Sequence, residues 1–181
     1  LAFGPFGTIV GNWISAFVMW LFSVSRILAG IVLGAVYPFL TILGLHWGFT
    51  PITLQNLKLY GGDVIEGVAM CAVYTQIGIA IGAFLRARKN SKMRELAGPT
   101  IITGFLAGVT EPILYGIIIR SKRMLAIVAI AGGISGAINA SFNVMMTSYV
   151  FHNVFSLAKM SYKPMPFTLL GISVAVLVGA T

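Results

Sequence analysis

Residues 67–85 read "GVAMCAVYTQIGIAIGAFL", an apolar run without a single charged side chain. Its length matches the roughly 20 residues an α-helix needs to cross about 30 Å of hydrocarbon. A backbone in lipid must satisfy its own hydrogen bonds, and a helix does so within one segment. The rest of the chain agrees. Hydrophobic residues make up 58% of the 181 and charged residues 9%, against about 25% charged in a soluble domain. So few charges cannot coat a surface that faces water, whereas lipid accepts an apolar one. The fold class expected is all-α integral membrane, a multi-span helical bundle forming a single domain over 1–181.

Other segments follow from the same pattern. Residues 8–25 carry Trp13 and Trp20 and read as an interfacial or spanning helix. Residues 27–47 read as a span kinked at Pro38, with Ala29, Gly30, Gly34 and Ala35 allowing close helix packing. Residues 48–66 are more polar and read as a loop with some short structure, because Pro51, Gly61 and Gly62 are turn signals. Within 67–85, Gly78 and Gly82 suit a packed face. Residues 124–151 make a further span, 152–164 a loop, and 165–181 a truncated span. The start at Leu1 and the end inside an apolar run read as a fragment cut at both ends.

Residues 96–119 are long enough to cross once, but the charges argue against it. The net charge is +8. Arg86, Arg88, Lys89, Lys92 and Arg94 form one basic group, and Arg120, Lys122 and Arg123 another. Both suit anchoring at the cytoplasmic membrane edge rather than nucleic-acid binding, since no aromatic-plus-basic module accompanies them. A single crossing would put the two groups on opposite faces. A re-entrant hairpin puts them on one face, with two arms of about 15 Å and a tip at Val109–Pro112 near mid-membrane depth. Gly104, Gly108, Pro112 and Gly116 supply the breaks.

That tip holds Glu111, one of only four acidic residues. A carboxylate at membrane depth is costly and is retained for a ligand, a proton or a structural partner. Thr110 beside it can donate and accept hydrogen bonds. His46 ends an apolar span and can bind a hydroxyl or move a proton, and Trp47 next to it can stack on a sugar ring or sit at the interface. Gln55, Asn56 and Gln76 suit a neutral polyhydroxylated ligand, and suit helix–helix hydrogen bonds equally well. Asn139, Asn143 and His152 read in the same way. Asp63 and Glu66 follow a Gly-Gly turn and read as helix N-terminus residues. Cys71 reads as a small buried hydrophobe. No zinc motif, phosphate loop or nucleophile elbow occurs, so neither a metal nor a cofactor is expected.

The stretches "GLHWGFTPI" and "GVTEPILYG" together resemble the membrane IIC component of a bacterial phosphoenolpyruvate-dependent sugar phosphotransferase system. The likeness is to the glucose superfamily, β-glucoside-like branch, and to the C-terminal half of its domain. It implies that Glu111 and His46 meet the sugar at the hydroxyl to be phosphorylated, so that these two are the catalytic candidates. Thr110, Trp47, Asn56 and Gln76 are the added substrate-binding candidates. The resemblance further implies an elevator-type transport half in the bacterial inner membrane and a homodimer when complete. It implies IIB and IIA partner domains that supply the phosphoryl group, usually to the 6-hydroxyl, and a missing N-terminal half. Cys71 is not the IIB cysteine. On the residues alone, a proton-coupled transporter or channel using Glu111 and His46 stays open.

Overall fold

The computed structural model describes residues 3–160 and 165–180. Among these lie eight α-helices: α1 (Phe3–Val24), α2 (Arg26–Ile42), α3 (Thr50–Tyr60), α4 (Val64–Arg86), α5 (Lys92–Ala107), α6 (Glu111–Gly116), α7 (Lys122–Ser141) and α8 (Met165–Ala180). Short 3-10 turns occupy Leu45–Phe49, Ile118–Arg120 and Phe155–Lys159. No β-strand occurs among the described residues, only isolated bridges pairing Asp63 with Met146 and Met146 with Met160.

Helix α4 is the centre of the bundle. It begins at Asp63, whose side chain accepts the Glu66 N–H, and it is buried on nearly every side from Ile65 to Ala80. A helix apolar all round belongs inside a larger assembly or a membrane. Both α4 and α7 are long and apolar enough to cross a bilayer. Small residues set how closely the neighbours approach. A Cβ on Gly34 would run into the Gly132 carbonyl, and one on Gly132 into the Gly34 carbonyl. Gly30 and Gly136 meet in the same reciprocal way. Helices α2 and α7 therefore cross with their backbones in contact, which side chains would prevent. Gly78 and Gly82 lie equally close to the backbone of Val176 and Ala180 on α8.

Several boundaries differ from those expected. The 27–47 segment is helical only to Ile42; Gly44, at φ 72, ends it, and His46 and Trp47 lie in the 3-10 turn that follows. Residues 50–60 within the expected loop 48–66 form α3. Pro51 sits in the first helical turn, where its missing N–H costs nothing, and Gly61 closes the end. Both turn signals thus bound a helix rather than replace one. The helix expected over 124–151 stops at Ser141. Beyond it Asn143 adopts φ 52, and Met146 exchanges two 2.9 Å backbone hydrogen bonds with Asp63, so the chain leaves the helix to cross the start of α4. Residues 161–164 of the expected loop 152–164 and residue 181 of the expected span 165–181 lie outside the described residues.

Between α5 and α6 the chain reverses. Gly108, at φ 73, caps α5, and Pro112 lies in the first turn of α6. A Cβ on Gly116 would meet Leu96 Cδ2 at 2.8 Å, and one on Gly104 would meet Ile113 Cδ1 at 3.4 Å. An unbroken helix would hold residues 96 and 116 about 30 Å apart. Leu96 and Gly116 touch because the two arms lie side by side.

Candidate functional site

The reversal places residues 108–112 on the wall of a cavity of about 620 Å³. Four other parts of the chain complete it. Helix α2 gives Tyr37 and Thr41, the 3-10 turn gives His46 and Trp47, α4 gives Glu66 and Val73, and the crossing segment after α7 gives Tyr149 to His152. Tyr115 on α6 donates its hydroxyl to the Ile42 carbonyl at 2.9 Å and so ties the returning arm to the end of α2.

Of the residues singled out from the sequence, His46, Trp47, Thr110 and Glu111 meet here, although the chain separates the two pairs widely. Thr110 is buried, and its carbonyl accepts the N–H groups of Ile113 and Leu114 at 3.0 Å each, which fixes the start of α6. Glu111 is half-buried and makes no hydrogen bond or ion pair among the described residues. His46 is wedged among rings, 5.2 Å from Trp47 and 6.2 Å from Tyr37 between centroids. The Leu40 carbonyl lies near it, yet Nδ1 is buried with no partner close enough to hydrogen-bond among the described residues. Trp47 stands 52% exposed, with Phe151 edge-on at 6.4 Å. The wall therefore offers an uncommitted carboxylate, an imidazole and exposed aromatic surface.

Asn56 and Gln76 are not on this wall. Asn56 Nδ2 donates to Asp63 Oδ1 at 2.7 Å. Its amide is spent on the carboxylate that caps α4. Gln76 is fully buried in the middle of α4, and neither amide atom has a partner among the described residues. Asn139 donates to the Gly67 carbonyl at 2.8 Å and fastens α7 to α4. Gln55 is exposed on α3.

Two residues read from the sequence as structural or marginal do line the cavity. Glu66 and His152 lie together, with Oε2 3.0 Å from Nε2, and Thr53 donates to Glu66 Oε1 at 3.1 Å. Asp63 completes the cluster: its Oδ2 lies 3.1 Å from the same Thr53 hydroxyl, whose one proton the two carboxylates share, and it accepts the Glu66 N–H at 3.1 Å. Burial pushes the Asp63 carboxyl up, and the hydrogen bonds from Asn56 and the Glu66 N–H draw it back. One carboxylate suffices to cap a helix. A second one three residues later, in so apolar a chain, was the available signal. Tyr37 and Tyr149 had no such signal, since aromatics beside a span also mark interfaces.

The comparisons with known proteins agree with the two motifs. The family described as "Phosphotransferase system, EIIC" matches residues 1–133. The β-glucoside-specific EIIBCA component of Halalkalibacterium halodurans is 36% identical over 142 residues, 78% of this chain and 22% of that protein. The β-glucoside-specific EIIBCA component of Dickeya chrysanthemi is 31% identical over 156 residues, 86% of this chain and 24% of that protein. The glucose-specific EIIBCA component of Corynebacterium glutamicum is 33% identical over 159 residues, 87% of this chain and 24% of that protein. This chain thus spans about a quarter of the length of these relatives. No solved structure matches. With a family match over most of its length and relatives above 30% identity across more than two thirds of it, the chain belongs to the EIIC family of the phosphotransferase system.

Proposed function

We propose that this chain forms the sugar-holding part of a phosphotransferase-system permease, which imports a sugar and passes it on as the phosphate ester. One observation carries the reading. Glu111, an acidic side chain without a hydrogen-bond or ion-pair partner among the described residues, shares a cavity with His46, Thr110 and Trp47. The volume lies in the range of small-molecule sites, about 300–1,000 Å³. An acceptor carboxylate, hydrogen-bonding neighbours and an aromatic face suit a neutral polyhydroxylated ligand.

In this reading Glu111 accepts a hydrogen bond from the reacting hydroxyl and takes its proton as general base. His46 orients the same hydroxyl. The hydroxyl oxygen then bonds to phosphorus as the sulfur–phosphorus bond of a IIB phosphocysteine breaks, and the thiolate leaves. The product is anionic and does not readily recross the membrane. The α5–α6 reversal is a re-entrant hairpin whose tip lies at membrane depth; the basic groups at 86–94 and 120–123, which it leaves on one face, support this, and the tip's non-helical backbone faces the cavity, as membrane depth requires. The chain is multi-pass in the bacterial inner membrane, moves as the transport half of an elevator-type carrier, and works as a homodimer with IIB and IIA domains. The sugars for which these relatives are specific make a β-glucoside the first substrate class to test, with glucose second. Family membership favours phosphoryl coupling over proton coupling by Glu111 and His46.

The test is Glu111→Gln in the full-length protein. Sugar phosphorylation is lost while membrane insertion persists. Phosphorylation near the wild-type rate would sink the proposal.

A further inference from the structure

The cavity holds a second carboxylate for which the reading above has no use. Glu66 is 6% exposed and His152 8%, and both line the cavity. Capping of α4 does not require Glu66, because Asp63 already performs it. Nor is Glu66 matched by a lysine or arginine: its ion-pair partner among the described residues is His152. Each of its oxygens takes one donor, Thr53 at Oε1 and His152 at Oε2. A carboxylate offers about four acceptor positions, so about half of its capacity is unused among the described residues, in a side chain that lines the cavity.

The support behind the pair is rigid. His152 Nε2 also lies 3.2 Å from the Glu66 carbonyl, so the ring spans both ends of that residue. Next to it, Asn153 Oδ1 accepts the Ser156 N–H at 2.9 Å, and the Val154 N–H reaches the Phe105 carbonyl on α5 at 2.9 Å. The His152 carbonyl lies 2.9 Å from where a Cβ on Gly108 would stand. The pair is thus held against the same reversal that carries Glu111. A buried, pre-positioned acceptor with spare lone pairs suits donors that a ligand brings.

We infer that Glu66, positioned by Thr53 and His152, is a second sugar-contacting carboxylate, accepting hydroxyls other than the one that meets Glu111. The inference rests on the sugar reading of the cavity. It assigns the two carboxylates different work: Glu111 acts on the hydroxyl that reacts, and Glu66 selects among the hydroxyls that do not. A carboxylate can accept from two adjacent ring hydroxyls at once, so the group selected is a vicinal diol.

The experiment uses the full-length protein with methyl β-glucoside and its 2-, 3- and 4-deoxy analogues, or the matching glucose series if glucose is the sugar bound. Hydrogen bonds to a charged group support roughly ten- to hundredfold discrimination. The wild type should therefore reject at least one deoxy analogue by about that factor. Glu66→Gln keeps the shape and can still pair with Thr53 and with the other imidazole tautomer. It should raise KM more than it lowers kcat, and it should flatten discrimination at that hydroxyl. Glu111→Gln should show the converse, with the loss in kcat. If the wild type binds sugar but Glu66→Gln keeps the wild-type ratios across the analogues, the inference is overturned and the sugar reading stands. If the wild type binds neither series, nor mannose nor MurNAc-GlcNAc, for which other relatives are specific, the sugar reading itself fails. Should Glu66→Gln not fold, His152→Gln takes its place. It loosens the carboxylate and must weaken the same discrimination, and unchanged ratios in that variant overturn the inference as well.

Discussion

Replacing Gly108 with alanine separates two costs that usually arrive together. Gly108 and Gly61 have nearly the same backbone, with φ 73 and φ 70. A Cβ in the left-handed region costs about 1–2 kcal/mol at either position. Their surroundings differ. No described residue lies within 4 Å of a Cβ at Gly61, whereas one at Gly108 would stand 2.9 Å from the His152 carbonyl oxygen and 3.0 Å from its carbon. Backbone cannot swing aside as a side chain does, so the reversal or the crossing segment must shift, at a further cost of about 1–3 kcal/mol. Gly108→Ala should therefore destabilise more than Gly61→Ala by about that amount. It should also displace Thr110 and Glu111 from the cavity wall. The assays are chemical denaturation and sugar titration of the full-length protein in lipid nanodiscs. Gly61→Ala is expected to bind sugar normally and Gly108→Ala to bind at least tenfold more weakly. Equal stability and equal binding for the two variants would refute the claim that the reversal is wedged against His152.

Other substitutions check separate parts of the account. Asn56→Ala removes a 2.7 Å hydrogen bond to the buried Asp63 carboxylate and should cost about 1.5–3 kcal/mol of stability. Sugar affinity should not change, and titration beside denaturation reads both. Gly34→Val drives a branched side chain into the Gly132 carbonyl and should weaken the α2–α7 crossing by about 1–3 kcal/mol or more, seen as a lower melting temperature. Gln76→Leu replaces a buried amide without partners among the described residues by an apolar side chain of similar size. It should stabilise the protein by about 1–3 kcal/mol, and a fall in sugar affinity instead would return Gln76 to the binding site.

The membrane class was legible because it depends on composition and on one uncharged run, both of which survive any error in local boundaries. The close approach of α2 was legible from Gly30 and Gly34, but the partner, Gly132 and Gly136 on α7, was not, since spacing does not say which helix lies opposite. The extent of α3 was missed, its segment being read as a loop with some short structure, because proline and glycine mark helix ends as well as turns. The segment after Ser141 was read as helix from its apolar character, while its path is fixed by the backbone pairing of Met146 with Asp63, a long-range contact without a local signature. At the site, Glu111 and His46 stood out because charge and imidazole are rare in this chain. Asn56 and Gln76 were ambiguous because an amide serves a helix contact as readily as a ligand, and neither lines this cavity. Glu66 and His152 were passed over because their meaning depends on each other, and residues 66 and 152 meet only in the folded chain.

The central claim is that a sugar sits between His46 and Glu111. A structure of the full-length protein with a bound β-glucoside or glucose tests it most directly. The account predicts a sugar hydroxyl within hydrogen-bond reach, about 2.6–3.2 Å, of the Glu111 carboxylate, with His46 at the same hydroxyl. Sugar bound elsewhere, with the wall formed by Thr110, Glu111 and His46 empty, would contradict it.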